Sequence, residues 1–286
     1  MIKSILCRAF LILLGSFSLS HARDVNKEQN CNPNTILLIA DTLKLKAIEE
    51  GDSEKNPWLV SGLEGVQSAA CKIAPQNKNL MYVALASNPT DNNNYGEATY
   101  DFTIAILDIK KNIVISSYKD KMEEDAAFRL GKSNLRIDTA NYRLNDKTRA
   151  FGIDLISDYI PNCGDGGFGN IRTLYIEEGK KIRPILSGLI MSDWRYLVEG
   201  ASRCNSEISD SVIPIIKESN ITISIAETMT NGFKDLIINR TTNVKDVDGN
   251  EILKDNKVVK ENLYKDESLA PYSYKINYSG REYPNK

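Results

Sequence analysis

The chain has 286 residues, of which 42% are hydrophobic and 26% are charged, and its formal net charge is −2. This composition is typical of a globular protein and excludes a collagen-like, coiled-coil or wholly disordered chain. The near balance of acidic and basic residues gives no basis for a nucleic-acid-binding surface, and the length suffices for one large or two smaller domains.

The first 22 residues have the organisation of a secretory signal peptide. Basic residues lie near its start, an apolar run follows over residues 9–14, and Ser20 and Ala22 place small residues at positions −3 and −1 of a cleavage site. The apolar run is shorter than the ~20 residues that a membrane span requires, which disfavours the alternative of a retained anchor. We therefore predict a periplasmic or secreted protein with no membrane span after cleavage.

Cleavage at this position removes His21, the only histidine of the chain. Without an imidazole, the mature protein has neither a Ser–His or Cys–His nucleophile nor a His-ligated zinc. Carboxylates remain as candidate acids and bases, and four of them lie near predicted strand ends: Asp154, Asp158, Asp165 and Asp193. A convergent pair of these acids is typical of a glycan hydrolase, whereas isolated acids are usually solvated.

Four cysteines remain after cleavage, namely Cys31, Cys71, Cys163 and Cys204. An even number of cysteines in an exported chain predicts two disulfides. Of the three possible pairings we favour Cys31–Cys71 with Cys163–Cys204, because each bond closes a loop within one half of the chain. A thiolate metal site needs closely spaced pairs of cysteines, which this chain does not have.

Residues 23–78 are predicted to form a small helical cap region. Apolar residues recur every three to four positions over residues 35–50, which predicts a helix capped by Asn34 or Thr35 and stopped at Gly51. A second helix is predicted over residues 58–73 on the same basis. Cys31 and Cys71 would link the two helices.

Residues 79–286 are predicted to form an antiparallel β body. Apolar residues alternate with a period of two, and strands recur without helical patterns between them. The fold class is therefore mainly β, with antiparallel sheets in a propeller-like or sandwich arrangement. The predicted strands cover residues 81–85, 100–109, 113–118, 135–142, 150–159, 171–176, 182–190, 212–216, 221–225, 236–239 and 273–278.

Two loops are candidate recognition surfaces. Residues 92–96 place Tyr95 among amide side chains, and the glycine-rich segment 164–169 carries Asp165 and Phe168. The latter matches GxGxxG, but a dinucleotide site needs a helix after the last glycine, and the residues that follow alternate like a strand. We therefore interpret it as a β-loop and expect both loops to form one binding patch.

Residues 227–235 contain oxygen-bearing side chains at alternating positions, a glycine and a closing acid, a pattern suited to Ca²⁺. The run NGFKDLII at residues 231–238 resembles the loop and strand of FG-GAP-type β-propeller repeats. Residues 274–283 resemble the ending of secreted proteins with such repeats. The resemblance implies a calcium site whose ligands are Glu227, Asn231 and Asp235, while the remaining ligand position falls on Met229.

A broader resemblance covers residues 71–189. The runs CKIAP at 71–75, IDTANYRL at 137–144, RAFGI at 149–153 and RPIL at 183–186 are similar to a group of exported proteobacterial β-rich proteins. This resemblance implies an exported β protein and no particular activity.

These observations predict a monomeric, non-enzymatic binding protein of the periplasm or envelope. It would recognise a polar ligand or an envelope protein through its β-loops, with no cofactor other than the Ca²⁺ of the predicted calcium site. Two alternatives remain: an inhibitor or immunity protein of an envelope hydrolase, and a carboxylate-dependent glycan hydrolase.

Overall fold

The computed structural model of the protein describes residues 29–46, 48–52, 54–56, 59–91, 98–124, 128–157, 166–196, 215–246 and 272–285. The predicted mainly β fold with a small N-terminal helical part is confirmed. In chain order the elements are α1 (Pro33–Leu43), β1 (Glu49–Glu50), β2 (Leu63–Glu64), β3 (Val66–Ile73), β4 (Leu80–Asp91), β5 (Ala98–Asp108), β6 (Ile113–Glu123), β7 (Leu135–Arg143), β8 (Arg149–Ile156), β9 (Gly166–Glu178), β10 (Lys181–Tyr196), β11 (Ile215–Thr230), β12 (Phe233–Asp246) and β13 (Tyr272–Ile276).

The helix α1 begins and ends earlier than the sequence predicts. Asn32 is the N-cap, since its side chain accepts a hydrogen bond from the backbone N–H of Asn34 at 2.9 Å. Pro33 follows as the first helical residue, a position that tolerates proline because no intrahelical N–H bond is needed there. Lys44 adopts a left-handed conformation with φ of 55° and ends the helix. The predicted stop at Gly51 is therefore wrong.

The second helix predicted over residues 58–73 is also wrong. This segment contains β2 and β3, and β3 pairs antiparallel with β4, with Ala70 opposite Ala84. Val66, Ser68 and Ala70 are buried in alternation, which is the period of a strand.

Strands β3–β13 form one mixed sheet that is nearly closed on itself. The main path runs β3-β4-β5-β6-β10-β11-β12-β13, and β9, β8 and β7 branch from β10. The single parallel contact among the described strands joins Lys181 of β10 to Ser117 of β6. Strands β3–β10 together form a curved ring, called here the strand ring, in which β7 returns to lie beside β3.

Side chains bridge the seam between β3 and β7. The amide group of Gln29 donates to the carbonyl of Ile137 at 3.0 Å and accepts from the N–H of Ile137 at 2.7 Å. The backbone carbonyl of Gln29 accepts from the N–H of Cys71 on β3 at 2.8 Å. Gln29 therefore forms the hydrogen bonds that a neighbouring strand residue would otherwise form at this position. Ser68 adds bonds to the carbonyl of Lys132 at 2.9 Å and the N–H of Leu135 at 3.3 Å.

The disulfide Cys31–Cys71 lies next to this seam and confirms the first predicted pairing. Because Cys31 follows Gln29 by two residues, the bond holds the bridging glutamine against β3. Cys163 and Cys204 lie outside the described residues, so their pairing stays a prediction.

The residues that the structure describes form three apolar cores. The ring core lies inside the strand ring and contains Tyr82, Phe102, Ile104, Phe151 and Tyr175. A second core lies between the strands around β9 and β10 and those of β12 and β13, and contains Leu174, Ile185, Leu236, Ile238 and Tyr283. The third packs α1 on the ring through Ile36, Ile39, Leu63, Val83 and Leu85. None of the helical residues described forms a segment of the length and apolarity needed to cross a bilayer.

Replacing both Cys31 and Cys71 by serine is expected to lower the free energy of unfolding by about 4 kcal/mol, because the bond closes a loop of 40 residues. The measurement is denaturant unfolding of the oxidised protein and the double variant. Amide exchange at Ile137 is expected to accelerate, because the variant no longer holds Gln29 in place. Equal unfolding midpoints for the two proteins would contradict this expectation.

Candidate functional site

A cleft opens at one end of the strand ring, where the turn between β3 and β4, the hairpin between β7 and β8, and the end of β9 come together. Its volume is about 230 Å³. We call it the hairpin cleft. It is lined by Gln76, Leu80, Tyr82, Ile106, Arg143, Asp146, Lys147, Thr148, Arg149, Phe151 and Glu177.

Aromatic side chains of the ring core form the base of the cleft. The rings of Tyr82 and Phe151 are stacked, with centroids 4.3 Å apart. The hydroxyl of Tyr82 accepts a hydrogen bond from the side chain of Gln76 at 2.7 Å. Burial raises the pKa of the Tyr82 phenol, although the bond from Gln76 and the charge of Arg149 act in the opposite direction. The phenol is therefore protonated at neutral pH.

Three basic side chains, Arg143, Lys147 and Arg149, line the hairpin side of the cleft. Arg143 and Arg149 are directly opposite each other in the β7–β8 register, so their side chains lie on the same face of the sheet. Arg149 donates to the carbonyls of Thr139 at 2.9 Å and Ala140 at 3.2 Å. No ion pair formed within the described part of the chain involves any of the three basic groups.

The hairpin that carries these residues is held rigidly. Its turn closes through a bond from the N–H of Leu144 to the carbonyl of Thr148 at 2.9 Å, and the side chain of Asn145 accepts from the N–H of Thr148 at 2.8 Å. The turn between β11 and β12 supports it from outside. There, the side chain of Asn145 donates to the carbonyl of Gly232 at 3.0 Å, and the carbonyl of Leu144 accepts from the backbone N–H of Lys234 at 2.8 Å.

Two carboxylates also line the cleft. Glu177, near the end of β9, accepts a hydrogen bond from the buried hydroxyl of Ser116 at 2.9 Å. Asp146 lies exposed at the tip of the β7–β8 hairpin. The cleft thus offers cations on the hairpin, acceptors on β9 and the hairpin tip, and an apolar base.

A buried cluster of charges ties β7, β8 and β9 together. Arg172 donates to both carboxylate oxygens of Asp154, at 2.6 and 2.8 Å, and lies 2.6 Å from a carboxylate oxygen of Asp138. Arg136 approaches Asp154 from the other side at 3.0 Å. Gly152 leaves the space that the cluster needs, since a Cβ there would lie 3.2 Å from the side chains of Arg172 and Asp138.

The residues predicted to bind are only partly described. Phe168 lies on β9 opposite Asp193 of β10, at the end of β9 away from Glu177. The predicted loop is therefore wrong for residues 166–169, because they belong to this strand, which pairs with β10. Tyr95 and Asp165 lie outside the described residues, so the recognition patch stays a prediction. The described strand ends that border the two loops, at Ala98 and Ser157, lie at the end of the ring away from the hairpin cleft.

The predicted calcium ligands have other partners. Glu227 is exposed and lies 3.7 Å from the ammonium group of Lys234. Asn231 sits in the β11–β12 turn, and Asp235 is buried and accepts from the hydroxyl of Thr228 at 2.6 Å. Across the residues that the structure describes, no three His, Cys, Asp or Glu side chains are grouped so as to hold a metal ion. Calcium binding stays a prediction.

Two of the four candidate catalytic acids are described, and both are bound by arginine. Asp154 belongs to the buried cluster, and Asp193 accepts from Arg240 at 2.7 and 2.9 Å. Asp158 and Asp165 lie outside the described residues.

Comparison with family models, curated proteins and solved structures found no match, so the resemblances noted in the sequence stay predictions.

Replacing Arg172 by methionine is expected to cost about 3–5 kcal/mol of unfolding free energy, because it leaves the buried carboxylate of Asp154 and the partly buried carboxylate of Asp138 with too little positive charge. The measurement is denaturant unfolding. The matched control is Lys121→Met, which removes the exposed pair with Asp101 and is expected to cost less than about 1 kcal/mol. Similar losses in the two variants would show that the cluster does not stabilise the ring.

Proposed function

We propose that this protein is an exported, non-enzymatic binding protein of the bacterial envelope that holds a small polar ligand in the hairpin cleft. The observation that carries the proposal is the combination of a buried aromatic base with a few charged groups on a rigid rim. Ligand sites typically have this composition. A volume of about 230 Å³ favours a small molecule over a peptide segment.

Two features support export. The first 22 residues have the pattern of a signal peptide. The bond between Cys31 and Cys71 is of a kind that persists in oxidising compartments and is rare in the cytosol. The ligand is therefore expected to be a molecule of the periplasm or the cell exterior.

The candidate acids predicted from the sequence, as far as they are described, favour binding over catalysis. The only histidine, His21, lies within the predicted leader. Asp154 and Asp193 are engaged by arginine guanidinium groups, which leaves neither free to act as a general acid or base.

The small-molecule fraction of a periplasmic extract is expected to shift the backbone amide signals of residues 143–149 in ¹H–¹⁵N correlation spectra of the protein isolated from the periplasm. Replacing Thr148 by tryptophan places an indole in the cleft and is expected to abolish these shifts. Thr222→Trp, at an exposed position on β11, is the matched control and is expected to leave them unchanged. Unshifted wild-type signals, or shifts that survive in Thr148→Trp, would overturn the proposal.

A further inference from the structure

Arg143 and Arg149 form a like-charge pair at the rim of the hairpin cleft. They are directly opposite each other on antiparallel strands, where Cβ atoms are typically ~4.5–5.5 Å apart. Like charges in this arrangement destabilise a sheet. Lys147, four residues along the chain from Arg143 and two from Arg149, lines the same cleft and adds a third positive charge.

No carboxylate of the described residues forms an ion pair with either guanidinium group, although Asp146 and Glu177 line the same cleft. Arg149 donates through one terminal nitrogen to two carbonyls, and Arg143 donates through one terminal nitrogen to the carbonyl of Asp146 at 3.4 Å. A guanidinium has five N–H donors, so donors remain on both groups. The cleft carboxylate on β9, Glu177, is held by a bond from Ser116 and is not paired with either arginine.

We infer, on the basis of the proposed function, that the ligand is a small aromatic anion whose carboxylate or phosphate group lies between Arg143 and Arg149. An anion there replaces the repulsion between the two guanidinium groups by two attractive contacts. The planar fork of arginine suits the paired oxygens of carboxylates and phosphates. In the free protein the guanidinium groups of Arg143 and Arg149 repel each other. Local conflicts that a fold leaves unrelieved tend to lie at functional positions, so this repulsion supports an anion site between the two arginines.

The apolar base of the cleft favours a ligand whose remaining part, beyond the anionic group, is a planar ring. Tyr82 and Phe151 form a flat stacked pair, and Leu80 and Ile106 add aliphatic surface. A planar ring buries apolar area against this surface and stacks with the aromatic groups. The protonated phenol of Tyr82 offers a polar contact at the edge of the ring.

Benzoate and its neutral isostere benzamide test the charge of the ligand directly. Benzoate is expected to shift the amide signals of residues 143–149 and to bind at least about tenfold more tightly than benzamide, because charge-assisted hydrogen bonds are the stronger ones. Phenyl phosphate in place of benzoate distinguishes a phosphate from a carboxylate, and tighter binding of either one supports the shared class. Inorganic phosphate alone is expected to bind more weakly than phenyl phosphate, because it has no ring.

Variants of the arginine pair test the mechanism. Arg149→Gln is expected to weaken benzoate binding about tenfold while leaving benzamide binding unchanged. Arg143→Gln is expected to raise the melting temperature of the ligand-free protein at low ionic strength, and salt is expected to reduce that gain because it screens the repulsion. Lys46→Gln, at an exposed position after α1, is the control and changes neither quantity.

The outcomes separate this inference from the proposed function. If benzoate and benzamide bind in the cleft with equal affinity, the inference that the ligand is an anion is wrong, while the proposed binding function is unaffected. If phenyl phosphate and inorganic phosphate bind with equal affinity, the inference that the ligand carries an aromatic ring is wrong. If the periplasmic fraction shifts the amide signals of residues 143–149 and none of these probes does, only the inferred ligand class is wrong. If no sample shifts these signals, both proposals are wrong. A lower melting temperature of Arg143→Gln contradicts the repulsion on which the inference depends.

Discussion

Gln29 occupies the place of a missing strand residue between β3 and β7, with its backbone bound to one edge and its side-chain amide to the other. Open strand edges tend to pair with other chains, so a ring that is nearly closed needs its last gap filled. The disulfide at Cys31 fixes the glutamine at that gap. The closure of the ring thus rests on the side-chain bonds of Gln29 and Ser68 and on the covalent bond beside them.

The same closure creates the hairpin cleft. Because β7 returns to β3, the turn after β3, which carries Gln76, comes to lie opposite the hairpin that carries Arg143 and Arg149. The Arg172 cluster keeps β7, β8 and β9 in register below the cleft. The positions of the rim charges are therefore set by contacts on the far side of the sheet and at the seam, and the ligand does not have to order them.

The sequence predicts much of the ring and none of the cleft. Strict alternation of apolar and polar residues identifies the central strands. Residues 63–73, however, carry small and apolar side chains that fit a helical period as well as a strand period. Only the pairing of this segment with β4 decides between helix and strand. Arg143 and Arg149 are ordinary charges in the sequence. They become neighbours only through the register of the β7–β8 hairpin, which the turn residues Asn145 and Asp146 between two predicted strands already indicate.

The long strand β10 belongs to both main cores, since Ile182 packs in the ring core while Ile185 and Leu189 pack in the second core. It also pairs with β6, β9 and β11. Neither half of the molecule has a complete interior without this strand. We therefore expect calorimetric melting to show one cooperative transition, and truncation within β10 to unfold both halves together.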